Sequence, residues 1–205
     1  MSRARVFIVD DEEKLRLALE RLLKSEGFDV ESFGSANEFL ARIKPSDVGC
    51  VVLDVAMPEV DGLELQRRLA DHPAALAIVF LTGHGDIRMS VQAMREGAWD
   101  FLTKPVKSAD LLRAVSAATE RAESRSASRE ASAGLRERFD RLTTREREVF
   151  EQVIAGRLNK VIANNLGISE QTIKVHRGRV MEKMGVESVA DLVRAAQALG
   201  IEPAS

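Results

Sequence analysis

Through its first 120 residues the chain alternates short apolar runs, unbroken except for Glu31 and Ser32 in the second, with amphipathic stretches, and the alternation stops near residue 121. The runs lie at 6–9, 30–33, 50–53, 78–81 and 101–102, with helical patterns near 12–26, 36–43, 62–70, 87–96 and 107–122. A strand that is apolar throughout must be covered on both faces. With a helix between each pair of strands, parallel pairing is the natural connection. The pattern predicts an α/β unit: a parallel five-stranded sheet with helices on both sides.

Beyond residue 121 no strand pattern returns. Residues 121–134 read Arg-Ala-Glu-Ser-Arg-Ser-Ala-Ser-Arg-Glu-Ala-Ser-Ala-Gly, with no apolar stripe until Leu135 and Phe139. Ala, Arg and Glu favour helix while the serines and Gly134 weaken it, which predicts a solvated helical linker. Thr143 or Thr144 then caps the next helix, and Thr143-x-x-Glu146 has the capping-box spacing. That helix is predicted to run to about 155, followed by helices at 159–166, 170–184 and 188–199. The chain divides into an α/β domain over 1–122, a helical linker over 123–141 and an all-α domain over 142–205.

Charge follows the same division. The 205 residues carry 30 Lys and Arg against 32 Asp and Glu, a formal charge of −2. Residues 1–123 hold 16 basic and 21 acidic side chains, a net of −5; residues 124–205 hold 14 and 11, a net of +3. Such asymmetry predicts two modules with different partners, the basic one facing nucleic acid. The single cysteine, Cys50, excludes an intramolecular disulfide framework and a Cys-cluster zinc site. No apolar run has the length of a membrane span, and the N-terminus lacks the apolar core of a signal peptide. A cytoplasmic protein without a membrane partner is expected.

Asp10-Asp11 follow the first apolar run directly, and Asp54 ends the third. In a parallel sheet the C-terminal strand ends share one edge, where ligands bind, so three carboxylates meet there. Two carboxylates ~4 Å apart repel by about 4 kcal/mol at an effective dielectric of about 20. A hard divalent cation relieves this, and Mg²⁺ suits a few carboxylates, waters and phosphate oxygens. Thr82 closes the fourth run and Lys104 the fifth, adding a hydroxyl and an ammonium to the same edge. Cation, positive side chain and hydrogen-bond donor around charged oxygens are what a transferred phosphoryl group needs. Asp54 is the candidate nucleophile, a carboxylate able to form an acyl phosphate. The plainer reading makes Asp10-Asp11 a helix cap and Lys104 a surface charge. A phosphatase of the Asp-nucleophile class is a rival, but it needs a second acid two residues after the nucleophile, where Ala56 stands.

Val9-Asp10-Asp11, Asp54-Val55-Ala56-Met57-Pro58-x-x-Asp61-Gly62, Thr82-Gly83-His84 and Lys104-Pro105 resemble the receiver domain of bacterial two-component response regulators, over roughly residues 3–122. The resemblance implies a flavodoxin-like sheet of order 2-1-3-4-5. It implies Asp54 as phospho-acceptor and Mg²⁺ held by Asp11, Asp54 and the Ala56 carbonyl, with Asp10 acting partly through water. Lys104 would grip the phosphoryl group beside a cis Lys104–Pro105 bond, and Thr82 and Phe101 would form a switch pair. A sensor histidine kinase would meet the first helix at Lys14, Leu15 and Ala18. Phosphorylation would favour dimerisation through the face of the fourth helix, fifth strand and fifth helix, near Trp99. In the family, positions 56 and 84 tune phosphoryl lifetime; Ala56 stands where arginine is common, and Val106 where phenylalanine is. Such a chain catalyses its own phosphorylation and autodephosphorylation and is not otherwise an enzyme.

In the helical domain, 159–184 reads as two helices around Gly167-Ile168-Ser169, a helix-turn-helix order. Projected at about 100° per residue, Ile173, Val180 and Met184 share the core stripe, with Arg177 at its edge. Gln171, Lys174, Val175 and Gly178 fall opposite. Gln171 and Lys174 suit purine edges and Val175 a thymine methyl. Gly178, which costs roughly 1 kcal/mol of helix stability, fits a close backbone approach to DNA. Thr172, His176, Arg179, Asn159 and Lys160 suit phosphates or the neighbouring helix, and Arg177 joins the predicted DNA-binding set. The motifs Leu142-Thr143-x-Arg145-Glu146, Gly156-x-x-Asn159-Lys160-x-Ile162-Ala163 and Leu166-Gly167-Ile168-Ser169-x-x-Thr172-Ile173-Lys174-Val175-His176-Arg177 resemble the LuxR/NarL-type output domain. With the receiver motifs, the whole chain is similar to response regulators of the FixJ/StyR type. The implied function is phosphorylation-dependent transcription regulation, with promoter double-stranded DNA, a second copy of the chain and RNA polymerase as partners.

Overall fold

The structure, a computed structural model, describes residues 4–83 and 87–203. The first part contains β1 (Arg5–Val9), α1 (Glu13–Ser25), β2 (Asp29–Phe33), α2 (Ala36–Arg42), β3 (Val48–Asp54), α3 (Gly62–Ala70), β4 (Ala75–Thr82), α4 (Ile87–Arg95), β5 (Asp100–Thr103) and α5 (Ser108–Asp140). The five strands form one parallel sheet of order β2-β1-β3-β4-β5. This is the fold and strand order the sequence motifs implied.

Side-chain alternation along each strand supplies both faces of the sheet. Phe7, Val9, Val51, Leu53 and Phe80 lie in one cluster with Phe39 of α2, Leu65 of α3 and Ala93 of α4. Val6, Ile8, Cys50, Val52, Val79 and Leu81 lie in the other with Leu19 and Leu23 of α1 and Leu111 and Val115 of α5. Burial on both sides explains why these strands read as unbroken apolar runs. The register Val6↔Cys50 to Val9↔Leu53 and Val48↔Ala75 to Asp54↔Leu81 brings the C-terminal ends of β1, β3 and β4 to one edge.

The second part adds α6 (Thr144–Ile154), α7 (Asn159–Leu166), α8 (Glu170–Met184) and α9 (Val189–Ala198). Thr143 caps α6: its side chain accepts from the Glu146 N–H while the Glu146 carboxylate accepts from the Thr143 N–H. Phe139, Val149, Phe150, Ile162, Ile173, Val180, Met184 and Leu192 form this part's core, with the Phe139 and Phe150 rings edge-on at 5.2 Å. Glu146 is buried beneath it and accepts from Lys183 Nζ at 2.6 Å, a bond that chiefly holds its carboxyl pKa down to about 2.

Two compact units result, Met1–Ala127 and Ser128–Ser205. Their boundary falls inside α5, because the expected fifth helix and the expected helical linker are one continuous element. Strand β4 begins at Ala75, earlier than the apolar run at 78–81 announced. No described helix is long and apolar enough to cross a membrane.

Candidate phosphoryl-transfer site and nucleic-acid interface

Each acidic residue reaches the sheet edge because a strand ends there. Asp10, directly after β1, has its N–H bonded to the Phe33 carbonyl at 3.2 Å and is 1 % exposed. Its Oδ1 accepts from the Glu12 N–H at 2.8 Å in the turn before α1, but the N-cap of that helix is Glu12 with no side-chain cap bond, so the plainer reading of Asp10-Asp11 as a helix cap does not hold. Its Oδ2 accepts from Lys104 Nζ at 2.8 Å, which the plainer reading did not foresee. Asp54, the last residue of β3, is buried, and Lys104 Nζ lies 3.2 Å from its Oδ1. Asp11 is exposed, and one oxygen from each of Asp10, Asp11 and Asp54 lies within 4.8 Å of the others.

Two of these groups have shifted proton affinities. Burial pushes the Asp54 carboxyl up; Lys104 pulls against it, Asp10 adds to it, and the neighbouring Ala56 backbone N–H pulls it back in part. Burial alone would lower Lys104, but its bonds and charge pairing with Asp10 and Asp54 prevail and raise it. An ammonium so held stays charged at neutral pH beside a carboxylate whose charge is costly. Three hard carboxylate donors, two of them paired with one ammonium, fit Mg²⁺ by donor type.

The remaining receiver-type residues gather at the same edge. Thr82 ends β4 and is buried, and its carbonyl accepts from the Lys104 N–H at 2.7 Å. The Lys104–Pro105 bond is cis. Phe101 is half-buried in β5, its ring 6.0 Å from that of Phe80. Ala56 is exposed in the loop after β3. His84 lies outside the described residues. One contributor escaped the sequence: Arg16 of α1 donates Nη1 to the Asp10 carbonyl at 2.6 Å, a contact that only the packing of α1 on β1 creates. Beside Lys104, Leu15, Ala18, Leu22, Val106 and Leu111 line a groove of about 630 Å³ between α1 and α5.

In the second unit, Gly167 closes α7 at φ 66°, where a side chain would be strained, and the Ile168 N–H returns to the Ala163 carbonyl at 3.1 Å. Ser169 caps α8 by accepting from the Thr172 N–H at 3.1 Å, with the two hydroxyls 2.8 Å apart. Ile173, Val180 and Met184 are buried, as the projection required, which turns Gln171, Thr172, Lys174, Val175, Gly178 and Arg179 outward. Val175 is 46 % exposed. A Cβ added at Gly178 meets nothing within 4 Å, so its backbone lies open. Lys160 is exposed at the start of α7.

Arg177 and Asn159 are engaged differently from their neighbours. Arg177 is half-buried and donates Nη1 to Asn159 Oδ1 at 3.0 Å, so the two brace α8 against the start of α7. The half-buried His176 ring has its Nδ1 buried without a hydrogen-bond partner. Leu158 and Val161, 74 % and 43 % exposed at the start of α7, extend the outward surface with apolar area that the sequence reading passed over.

Comparison with known proteins matches residues 6–116 to the response regulator receiver domain and 140–196 to the bacterial regulatory proteins of the luxR family. Nodulation protein W of Bradyrhizobium diazoefficiens is 44 % identical over 200 residues, covering 98 % of this chain and 88 % of that protein. Transcriptional regulatory protein FixJ of Azorhizobium caulinodans is 41 % identical, covering 97 % and 94 %. Among solved structures, response regulator StyR is 43 % identical with a TM-score of 0.87, covering 96 % of this chain and 99 % of that one.

Proposed function

Because the chain belongs to the two-component response regulators, with a receiver domain and a LuxR-family DNA-binding domain, we propose that a phosphoryl group on Asp54 governs its binding to promoter DNA. The observation that carries this reading is the Lys104 ammonium bridging the Asp10 and Asp54 carboxylates at a buried strand edge. An oxygen of ionised Asp54 attacks the phosphorus of a phosphohistidine on a sensor histidine kinase. The O–P bond of an acyl phosphate forms as the P–N bond breaks, and the imidazole leaves with the electron pair. Lys104 is placed to pair with the phosphoryl oxygens, and the Thr82 hydroxyl to donate to one of them. Mg²⁺, held by Asp10, Asp11, Asp54 and the Ala56 carbonyl, supplies charge neutralisation for the phosphoryl oxygens when bound.

Thr82 and Phe101 relay the change to the surface of α4, β5 and α5, where Val91, Met94 and Trp99 are exposed, and a second copy of the chain docks there. The groove between α1 and α5 receives the kinase. Water hydrolyses the acyl phosphate and returns the receiver to rest. Residues 1–122 act as receiver, 123–141 as helical linker and 142–205 as the DNA-binding domain. On DNA, α8 enters the major groove: Gln171, Lys174, Val175 and Gly178 face base edges. Thr172, Arg179 and Lys160 contact phosphates, and the Arg177–Asn159 pair holds the approach. Promoter binding places the protein in the cytoplasm with RNA polymerase as its neighbour.

Acetyl phosphate and Mg²⁺ test the chemistry. A labile phospho-form is expected on the wild-type chain and none on Asp54→Asn; equal labelling of both removes Asp54 as acceptor. Footprinting with and without acetyl phosphate is expected to show stronger protection with it, and identical footprints would remove the switch.

A further inference from the structure

Among the described residues, Glu59 is the one non-glycine residue with positive φ, at 66°. The Val60 N–H donates to the Pro58 carbonyl at 2.8 Å, closing a three-residue γ-turn of the strained hand around it. An L-residue in this conformation carries a cost that glycine would not, and such strain persists only where the surroundings over-determine it.

They do so here. Met57 and Val60, flanking the turn, are both buried in the cluster under α2 and α3. Asn37 of α2 donates Nδ2 to Glu59 Oε2 at 2.9 Å, reaching across 22 positions of sequence. Upstream, the Val55 N–H is bonded to the Leu81 carbonyl at 3.1 Å. Downstream, the Gly62 N–H returns to the Val55 carbonyl at 3.0 Å, and Asp61 caps α3. Residues 55–62 form a closed clip, and the Ala56 peptide, two positions after Asp54, sits inside it.

We propose that Asn37 and Glu59 are positioning residues for phosphoryl transfer: their bond holds the strained turn that fixes the Ala56 peptide against Asp54. The pair thereby sets the affinity of the site for Mg²⁺ and the rate at which Asp54 is phosphorylated. This rests on Asp54 being the acceptor. Neither side chain touches the reacting atoms; both act through the loop.

The test uses the full chain with Asn37→Ala, Glu59→Ala, the double variant and Glu59→Gln. Calorimetric titration with Mg²⁺ alone and the rate of labelling by acetyl phosphate are the two readouts, beside the melting temperature. Each alanine variant is expected to weaken Mg²⁺ binding and slow labelling about 3–10-fold, the range a single hydrogen bond supports. The double variant is expected to be no worse than either single one. Glu59→Gln, which keeps an oxygen for Asn37 Nδ2, is expected to stay within about twofold of wild type. Additive losses overturn the pair. Glu59→Gln behaving like Glu59→Ala shows that charge acts rather than the bond, and overturns it too. A lowered melting temperature with unchanged Mg²⁺ affinity leaves a merely structural contact and does the same. A wild-type chain that is not labelled at Asp54 removes the acceptor reading itself, whereas a labelled wild type with unaffected variants removes only this proposal.

Discussion

Asp54 holds its proton more tightly than a solvated aspartate because burial disfavours its carboxylate; Lys104 pulls the other way by more than the neighbouring Asp10 repels, but not by enough to undo burial. The folded chain then binds that proton more strongly than the unfolded one, so the contribution of Asp54 to stability is present at low pH and lost as pH rises through its folded pKa. Asp54→Asn is accordingly expected to raise the melting temperature of the receiver at neutral pH, followed by calorimetry; a lower value would mean that Lys104 depends on Asp54 more than on Asp10. Glu146 has the opposite sign. Its carboxyl is held at about 2, chiefly by Lys183, so its contribution is present above the usual carboxylate range and lost as pH falls from about 4.5 towards 2. Glu146→Gln is expected to flatten the stability of the second unit across that window, as read by circular dichroism in acid titrations. At Gly62 the constraint is space: a Cβ there would lie 2.4 Å from the Asp54 carbonyl and 3.0 Å from Phe80. Gly62→Ala is expected to cost about 1–3 kcal/mol in denaturant unfolding of the receiver.

Among the elements, α5 is held by apolar burial at its two ends and not between them. Ala114, Val115, Ala118 and Ala122 are buried at one end and Phe139 at the other, while residues 123–133 are exposed apart from half-buried Ser126. Helix of this length without a packed face is marginal in water, and its serines and Gly134 lower its propensity further. Amides of 123–133 are expected to exchange hydrogen faster than those of 111–122, and Gly134→Ala to slow them, since Gly costs roughly 1 kcal/mol relative to Ala. In α8 the expectation is a division of labour. Lys174→Ala should relax sequence preference with labelling of Asp54 unchanged, whereas Lys160→Ala should weaken binding to all sequences and reduce the salt slope by about 1. These elements were legible to different depths. Strand ends were readable because β-α alternation fixes which ends share an edge, and that places Asp10, Asp54, Thr82 and Lys104 together from the sequence alone. The outward face of α8 followed from helical period alone. The Arg177–Asn159 brace, the Glu146–Lys183 pair and the Glu59 turn were not legible, because each joins residues that only tertiary packing brings together. Continuity of α5 was hidden for another reason: the chain there has helix-forming residues but no stripe to announce a helix.

For the molecule as a whole, charge division carries a practical meaning. The net of +3 after residue 123 is small and is partly supplied by linker arginines such as Arg125 and Arg129. Bulk attraction for DNA is therefore weak, and on the proposed function affinity comes from a few placed side chains on α7 and α8, with the salt dependence that phosphate contacts impose. The receiver carries a different kind of marker. Cys50, the single thiol of the chain, lies in the middle strand of the sheet with no exposure, and burial pushes its proton affinity far up. In the closed protein it is both unreachable and un-ionised, so a thiol reagent reacts only in molecules whose sheet has come apart. Its modification rate is thus a stopwatch for opening of the receiver, built into the native sequence with no label added. Anything that tightens the domain, bound Mg²⁺ first, should make that stopwatch run slower.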